Sequence, residues 1–316
     1  MRGWIATGAA AGVLAAAAWA TAGPQDGEPP AVIGRWDLTV GEPGRSHPSW
    51  LEIERSGHRT LVGRFVGGGG SARPIGKIVH ENGRIQFSIP PQWEDTREDL
   101  QFEARLEGGR LEGTVTESGR VTRWVGVRQP PLPSGREEPA WGSPIALFNG
   151  RDLSGWRLRH AGGKNGWSVQ DGALANRPPR TDLVSEQAFR DFRLRAVLRL
   201  PRGSNSGIYL RGRYELQLEN TPGGDPLHSR LGCVYGFLAP SFDAARPPEE
   251  WQELEATLVG RRLTLRVNGE RVIDRQEIPG ITGGALDSSE GEPGPIMLQG
   301  DHGPVQFREI VVRPAR

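Results

Sequence analysis

The stretch NSGIYLRGRYELQLEN, Asn205 to Asn220, sets Tyr209, Arg211, Arg213, Glu215, Gln217 and Glu219 at odd positions and Ile208, Leu210, Tyr214, Leu216 and Leu218 at even ones. Phenol, guanidinium, carboxylate and amide groups side by side match the hydroxyls and C–H faces of a pyranose, so this row suits sugar binding. The plain alternative is a solvated sheet face. A repeat of two is that of a β-strand, which buries one row and displays the other. Gly212 permits a turn midway, and parity limits its length. A two-residue loop at Arg211 and Gly212 pairs Ile208 with Glu215 and mixes the faces. A three-residue loop, Arg211 to Arg213, pairs Tyr209 with Glu215 and Ile208 with Leu216. Only an unbroken strand or an odd-length loop keeps the polar row together.

The elements around this row all read as β. From Ala31 the chain runs as short alternating segments, IGRWDLTV, SWLEIER and RTLVGRFV first among them, with hairpin signals at Asn82-Gly83 and Gly108-Gly109. Residues 31–129 read as a small antiparallel β-barrel or sandwich, and the Pro-rich stretch 130–142 as a linker. Residues 143–316 hold about a dozen short strands with glycine turns, including Asp171-Gly172 and Asn268-Gly269, and read as a two-sheet jelly roll. No segment keeps a helical period.

Within the first half, Trp36, Trp50, Trp93 and Trp124 suit core positions, with a ligand cleft as the alternative. Pro90 to Asp95 reads as an exposed loop with an aromatic tip, the one place in this half where a sugar contact is expected. Gly67 to Ser71 lacks the lysine and following helix of a phosphate loop and reads as a flexible loop.

Composition narrows the partners. With 39 basic and 38 acidic residues among 316, the net charge is +1, so no global field draws in nucleic acid or an anionic membrane. Met1 to Ala22 combines Arg2, an Ala-rich apolar run and Ala20-Thr21-Ala22, and reads as a signal peptide. A secreted or periplasmic protein without a transmembrane span in its mature chain is expected. Cys233 is the only cysteine, which excludes a disulfide framework and a zinc-thiolate cluster, and it reads as a small buried residue.

Six pieces in order, LFNGRDLSGW, WSVQDGAL, DFRLRAVLR, SNSGIYLRGRYELQLEN, the run from Trp251 to Gly269, and LQGDHGPVQFREI, resemble the 3-keto-disaccharide hydrolase family across residues 145–314. The resemblance implies a concanavalin-like β-sandwich jelly roll, a carbohydrate substrate and a secreted hydrolase or lyase. Its substrate would be a glucoside already oxidised to a ketone at C3. The ketone acidifies the C2 hydrogen; a base removes it, the enolate expels the C1 oxygen, and water adds to the enone. Such chemistry needs a base near C2, a cation or donor at the enolate oxygen and an acid near O1. The resemblance implies Glu215 as base, Arg211 or Arg213 as enolate stabiliser, and His302 as acid oriented by Asp301, the three acid–base roles being exchangeable. Asn205, Tyr209, Gln217 and Gln299 would hold sugar hydroxyls.

An ordinary glycosidase pair at Glu215 and Glu219 fails on length. Four residues of strand span about 13 Å, beyond the ~5 to 9.5 Å between paired glycosidase carboxylates. A cofactor is not indicated, and a divalent metal stays open: Asp287, Glu290 and Glu292 share a glycine-rich loop that would suit a hard cation or simply be solvated. The competing class is a non-catalytic, lectin-like carbohydrate-binding module. An enzyme would bring Glu215, Arg211, His302 and Gln299 into one pocket, whereas a binder would scatter them.

Overall fold

The computed structural model describes residues 30–132, 139–219 and 224–316; the expected signal segment 1–22 and residues 133–138 of the expected linker lie outside them. Every regular element among the described residues is a strand, so the fold is all-β. Eight consecutive strands between Gly34 and Arg128 pair antiparallel, and the first closes on the last, Trp36 beside Arg128 and Val40 beside Trp124. Of the two forms expected for this half, the closed barrel is the one formed. Alternation drives it: in Arg84–Ile89, Ile85, Phe87 and Ile89 point inward. The Asn82-Gly83 hairpin is a two-residue loop between Glu81 and Arg84, with left-handed φ of 48° and 75°.

The second half is a two-sheet jelly roll. One sheet runs, in spatial order, Trp156–Leu158, Leu183–Phe189, Gly294–Leu298, Asn205–Leu210 and Tyr214–Glu219. The other runs Trp167–Gln170, Ala173–Asn176, Gln306–Pro314, Phe192–Arg199, Gln252–Val259, Arg262–Val267 and Glu270–Glu277, with Ile145–Ala146 beside Gln306–Pro314. Between them Leu194, Ala196 and Leu198 meet Ile208, Leu210 and Leu216 in one core.

Barrel and sandwich form one compact unit, Val32–Arg316. Trp36 and Trp124 fill the barrel, but Trp50 turns out of it into the sandwich core, where it meets Phe237 edge-on at 5.2 Å. Gly280 makes this seam possible, since a Cβ there would lie 2.2 Å from the Trp50 indole nitrogen. Trp93 alone of the four is exposed, at 56%.

Candidate functional site

The hairpin has the three-residue turn. Ile208 faces Leu216, Tyr209 faces Glu215, Gly207 faces Gln217 and Asn205 faces Glu219. Its polar row is covered rather than solvated: Tyr209, Glu215 and Gln217 are 2–3% exposed. That removes the solvated-face alternative and leaves a buried carboxyl that needs partners. The segment from Leu231 to Leu238 closes the outer edge, Gln217 N–H donating to Cys233 O (3.0 Å) and Tyr235 N–H to Glu215 O (3.1 Å). Cys233 is buried there, its thiol pushed up to about 12 by burial, which fits packing rather than nucleophilic chemistry.

Over the polar row lies a cavity of about 260 Å³. Seven of the expected site residues line it: Asn205, Tyr209, Glu215, Gln217, Gln299, Asp301 and His302. Arg159, Asp182, Tyr235 and the glycines at 68–70 and 283–284 complete the wall. A wider cleft of about 880 Å³, between the barrel and residues 288–292, carries neither histidine nor tyrosine.

Glu215 sits at the floor. Burial pushes its carboxyl up to about 8, while the Tyr209 hydrogen bond and the charge of His302 work in the opposite direction. Its Oε2 lies 2.9 Å from the Tyr209 hydroxyl, which also stands 3.0 Å from Gly283 O. One phenolic proton serves one acceptor. The network closes without conflict when a protonated Glu215 donates to Tyr209 and Tyr209 donates to Gly283. Gly207 gives the carboxyl its space, because a Cβ there would lie 2.5 Å from Glu215 Oε1.

Asp301 and His302 are half-exposed and paired, Oδ1 to Nδ1 at 2.5 Å. The bond from Asp301 raises the His302 imidazole above its ordinary range against the effect of burial. Burial acts to raise Asp301, but the bond and charge of His302 outweigh it and hold that carboxyl low. Asp182 fixes the pair's loop: its Oδ1 accepts Gly300 N–H (2.9 Å) and its Oδ2 accepts Arg159 Nη1 (2.9 Å). Arg159 also donates to Gly284 O (2.9 Å) and Ala285 O (3.0 Å). Gln217 donates to Asn205 Oδ1 (3.0 Å), and Gln299 Oε1 is buried with no protein partner among the described residues.

Arg211 and Arg213, expected at the enolate, are not among the residues that line this cavity. Arg211 and Gly212 take left-handed φ of 54° and 67°, which swings the turn out of the strand rows. Arg211 is fully buried and donates to Gly260 O and to Tyr214 Oη (3.4 Å). Arg213 donates to Asp287 Oδ1 (2.6 Å) and Glu292 O (2.8 Å). Two of the three acids weighed for a cation are engaged elsewhere. Asp287 holds Arg213, and Glu290 is buried, accepting from Tyr214 Oη (2.6 Å) and Gln129 Nε2 (2.5 Å). Among the described residues no three His, Cys, Asp or Glu side chains converge as a metal site. The guanidinium in the cavity is that of Arg159, which carries no local sequence signal.

Residues 143–313, more than half of the chain, match the family model described as the 3-keto-alpha-glucoside-1,2-lyase-like domain. The chain belongs to this family. It is the family that the motifs from LFNGRDLSGW to LQGDHG indicated, and the lyase-like domain is a carbohydrate-active one that spans the sandwich and leaves out the barrel. Two crystal structures of candidate glycosyl hydrolases from Parabacteroides distasonis are similar to it. One has 26% identity and a TM-score of 0.47, covering 57% of this chain and 94% of that one. The other has 21% identity and a TM-score of 0.46, with coverages of 55% and 94%. A carbohydrate-binding module from Bacillus subtilis has 12% identity and a TM-score of 0.32, with coverages of 51% and 92%. No curated protein matches the chain. Among the described residues no helix is long and apolar enough to cross a membrane.

Proposed function

We propose that this pocket opens the glycosidic bond of a 3-keto-glycoside by elimination followed by hydration. The observation that carries the reading is the buried Glu215 carboxyl, raised to about 8, sharing one cavity with the Asp301–His302 pair. Such a carboxylate, once ionised, is a stronger base than a solvated one, which suits removal of a hydrogen made acidic by a neighbouring ketone.

Glu215 takes the C2 proton and the C2–H electron pair becomes the enolate of the C3 ketone. Arg159 supplies the positive charge in the cavity, in place of Arg211. As the enolate collapses to a C1=C2 enone, the C1–O bond breaks and His302 protonates the leaving oxygen. Water then adds its oxygen to C1 and a proton returns to C2, giving 3-keto-glucose. Asn205, Gln217 and Gln299 hold hydroxyls through amides already oriented by their neighbours.

A binding module without chemistry would scatter its titratable groups, whereas Glu215, Asp182, Asp301 and His302 line one cavity of about 260 Å³. On the sequence of Met1 to Ala22 we assign the reaction to the periplasm or exterior. The test is incubation of 3-keto-trehalose and 3-keto-sucrose with the wild type and Glu215→Gln, following 3-keto-glucose. Release by the wild type alone supports the reading. Equal release by both removes Glu215 from the chemistry, and no release by either rejects the reaction.

A further inference from the structure

The family match begins at residue 143, beyond the barrel, yet the barrel reaches the cavity. Gly68, Gly69 and Gly70 form part of its wall, and Gly68 O accepts the N–H of Gly284, another lining residue, at 3.0 Å. A Cβ on Gly283 would lie 2.2 Å from Gly70 O, so the two loops run in direct backbone contact. The glycine loop is held in place. Gln92 grips Ser71 twice, accepting its N–H at 3.0 Å and donating to its hydroxyl at 2.7 Å, and the Trp93 indole N–H donates to Gly69 O at 2.9 Å.

Trp93 is itself fixed. Glu94 Oε2 accepts the backbone N–H groups of Gln92 (2.8 Å) and Trp93 (3.1 Å), and the same carboxylate pairs with Arg73 at 2.9 Å, both side chains 6% exposed. A buried ion pair therefore anchors a loop whose tip is a 56% exposed indole. The ring packs against two glycines of the cavity's wall without itself lining the cavity, since a Cβ on Gly69 would be 3.6 Å from its Cε2 and one on Gly70 2.8 Å from its Cδ1.

Size supplies the need. At about 260 Å³ the cavity falls just below the ~300–1,000 Å³ of sites for drug-sized ligands, which is room for one sugar ring. The second ring of a disaccharide has to lie outside, against the rim. We propose that Trp93 is the platform for that second ring, so that the barrel supplies the leaving-group subsite of the sandwich's pocket. An indole held rigid presents a broad apolar face to the C–H side of a pyranose at little entropic cost. The inference rests on reading the pocket as a glycoside site.

The test measures binding, so it does not depend on turnover. Full-length Glu215→Gln protein, with Trp93 intact, Trp93→Ala or Trp93→Phe, is titrated calorimetrically with 3-keto-trehalose and with methyl 3-keto-α-glucoside. Trp93→Ala is expected to weaken the disaccharide about tenfold and leave the methyl glycoside unchanged, with Trp93→Phe restoring most of the loss. Phe keeps a ring but not the N–H that holds Gly69, so its rescue separates stacking from loop support. Equal weakening of both ligands, no weakening of either, or no binding at all overturns the proposal. A wild type that cleaves nothing would reject the reaction proposed above and leave this comparison standing.

Discussion

The Tyr209 hydroxyl lies 2.9 Å from Glu215 Oε2, directly across a hairpin with a three-residue turn, and 3.0 Å from Gly283 O. Its single proton couples the protonation of Glu215 to the loop that roofs the cavity. A neutral Glu215 donates and lets Tyr209 bond Gly283, whereas an ionised Glu215 claims the phenolic proton for itself.

Glu215 should therefore be separable from folding. Glu215→Gln is expected to lower kcat by about 10²- to 10⁴-fold, the usual worth of a positioned base. It should also raise the melting temperature, and the sign follows from linkage. The folded-state value, about 8, lies above the ordinary glutamate value of 4.5, so the folded protein holds the proton that the unfolded chain has lost. Stability from this group is complete below pH 4.5 and declines as pH rises towards 8. The gain in melting temperature from Gln should accordingly be larger at pH 8 than at pH 5, as read by calorimetry.

The pH profile should separate the pair. The wild type needs Glu215 ionised and His302 protonated, so kcat/KM is expected to be bell-shaped, its limbs belonging to the pair jointly. His302→Gln removes the acid, and with it a charge that lowers Glu215. Residual activity should then rise with pH to a midpoint at or above about 8, with no falling limb. A falling limb that survived in this variant would assign the acid elsewhere.

Gly207 offers a steric test. Its Cβ would fall 2.5 Å from Glu215 Oε1 and 3.0 Å from Glu215 Cγ. Gly207→Ala should displace the carboxyl and lower kcat about 100-fold, while the hairpin, which needs no left-handed backbone at this position, still forms. Activity and the circular dichroism melt together check this.

The two classes of arginine should part company. Arg211→Met is expected to leave kcat/KM of the folded protein unchanged, because its guanidinium points to Gly260 O and the Tyr214 ring, with the ring centroid 5.1 Å away. Arg159→Met should cost about 100-fold in kcat, since it removes the cavity's guanidinium charge and the donor that holds Asp182.

These contrasts mark what the sequence makes legible. Alternation from Asn205 to Glu219 carries the face of every strand residue, and parity narrows the geometry to an unbroken strand or an odd-length turn, of which the three-residue turn that pairs Tyr209 with Glu215 is the one formed. The same alternation misleads at Arg211 and Arg213, because positive φ at Arg211 and Gly212 breaks the strand rows inside the turn. Arg159 and Asp182 lie in segments with no motif of their own and reach the site through the neighbouring strand and the 284–285 loop. The glycine loop of the barrel reads locally as a spacer. Its place in the wall comes from packing across the Trp50 seam and from the Gln92 and Trp93 bonds, which no short window of sequence contains.

The central claim is that Glu215 removes the C2 proton, and turnover of 3-keto-trehalose in D2O tests it most directly. Elimination and hydration predict 3-keto-glucose carrying one deuterium at C2, seen by NMR before background exchange, and neither product nor exchange with Glu215→Gln. Equal labelling or equal product release by the variant would contradict the account.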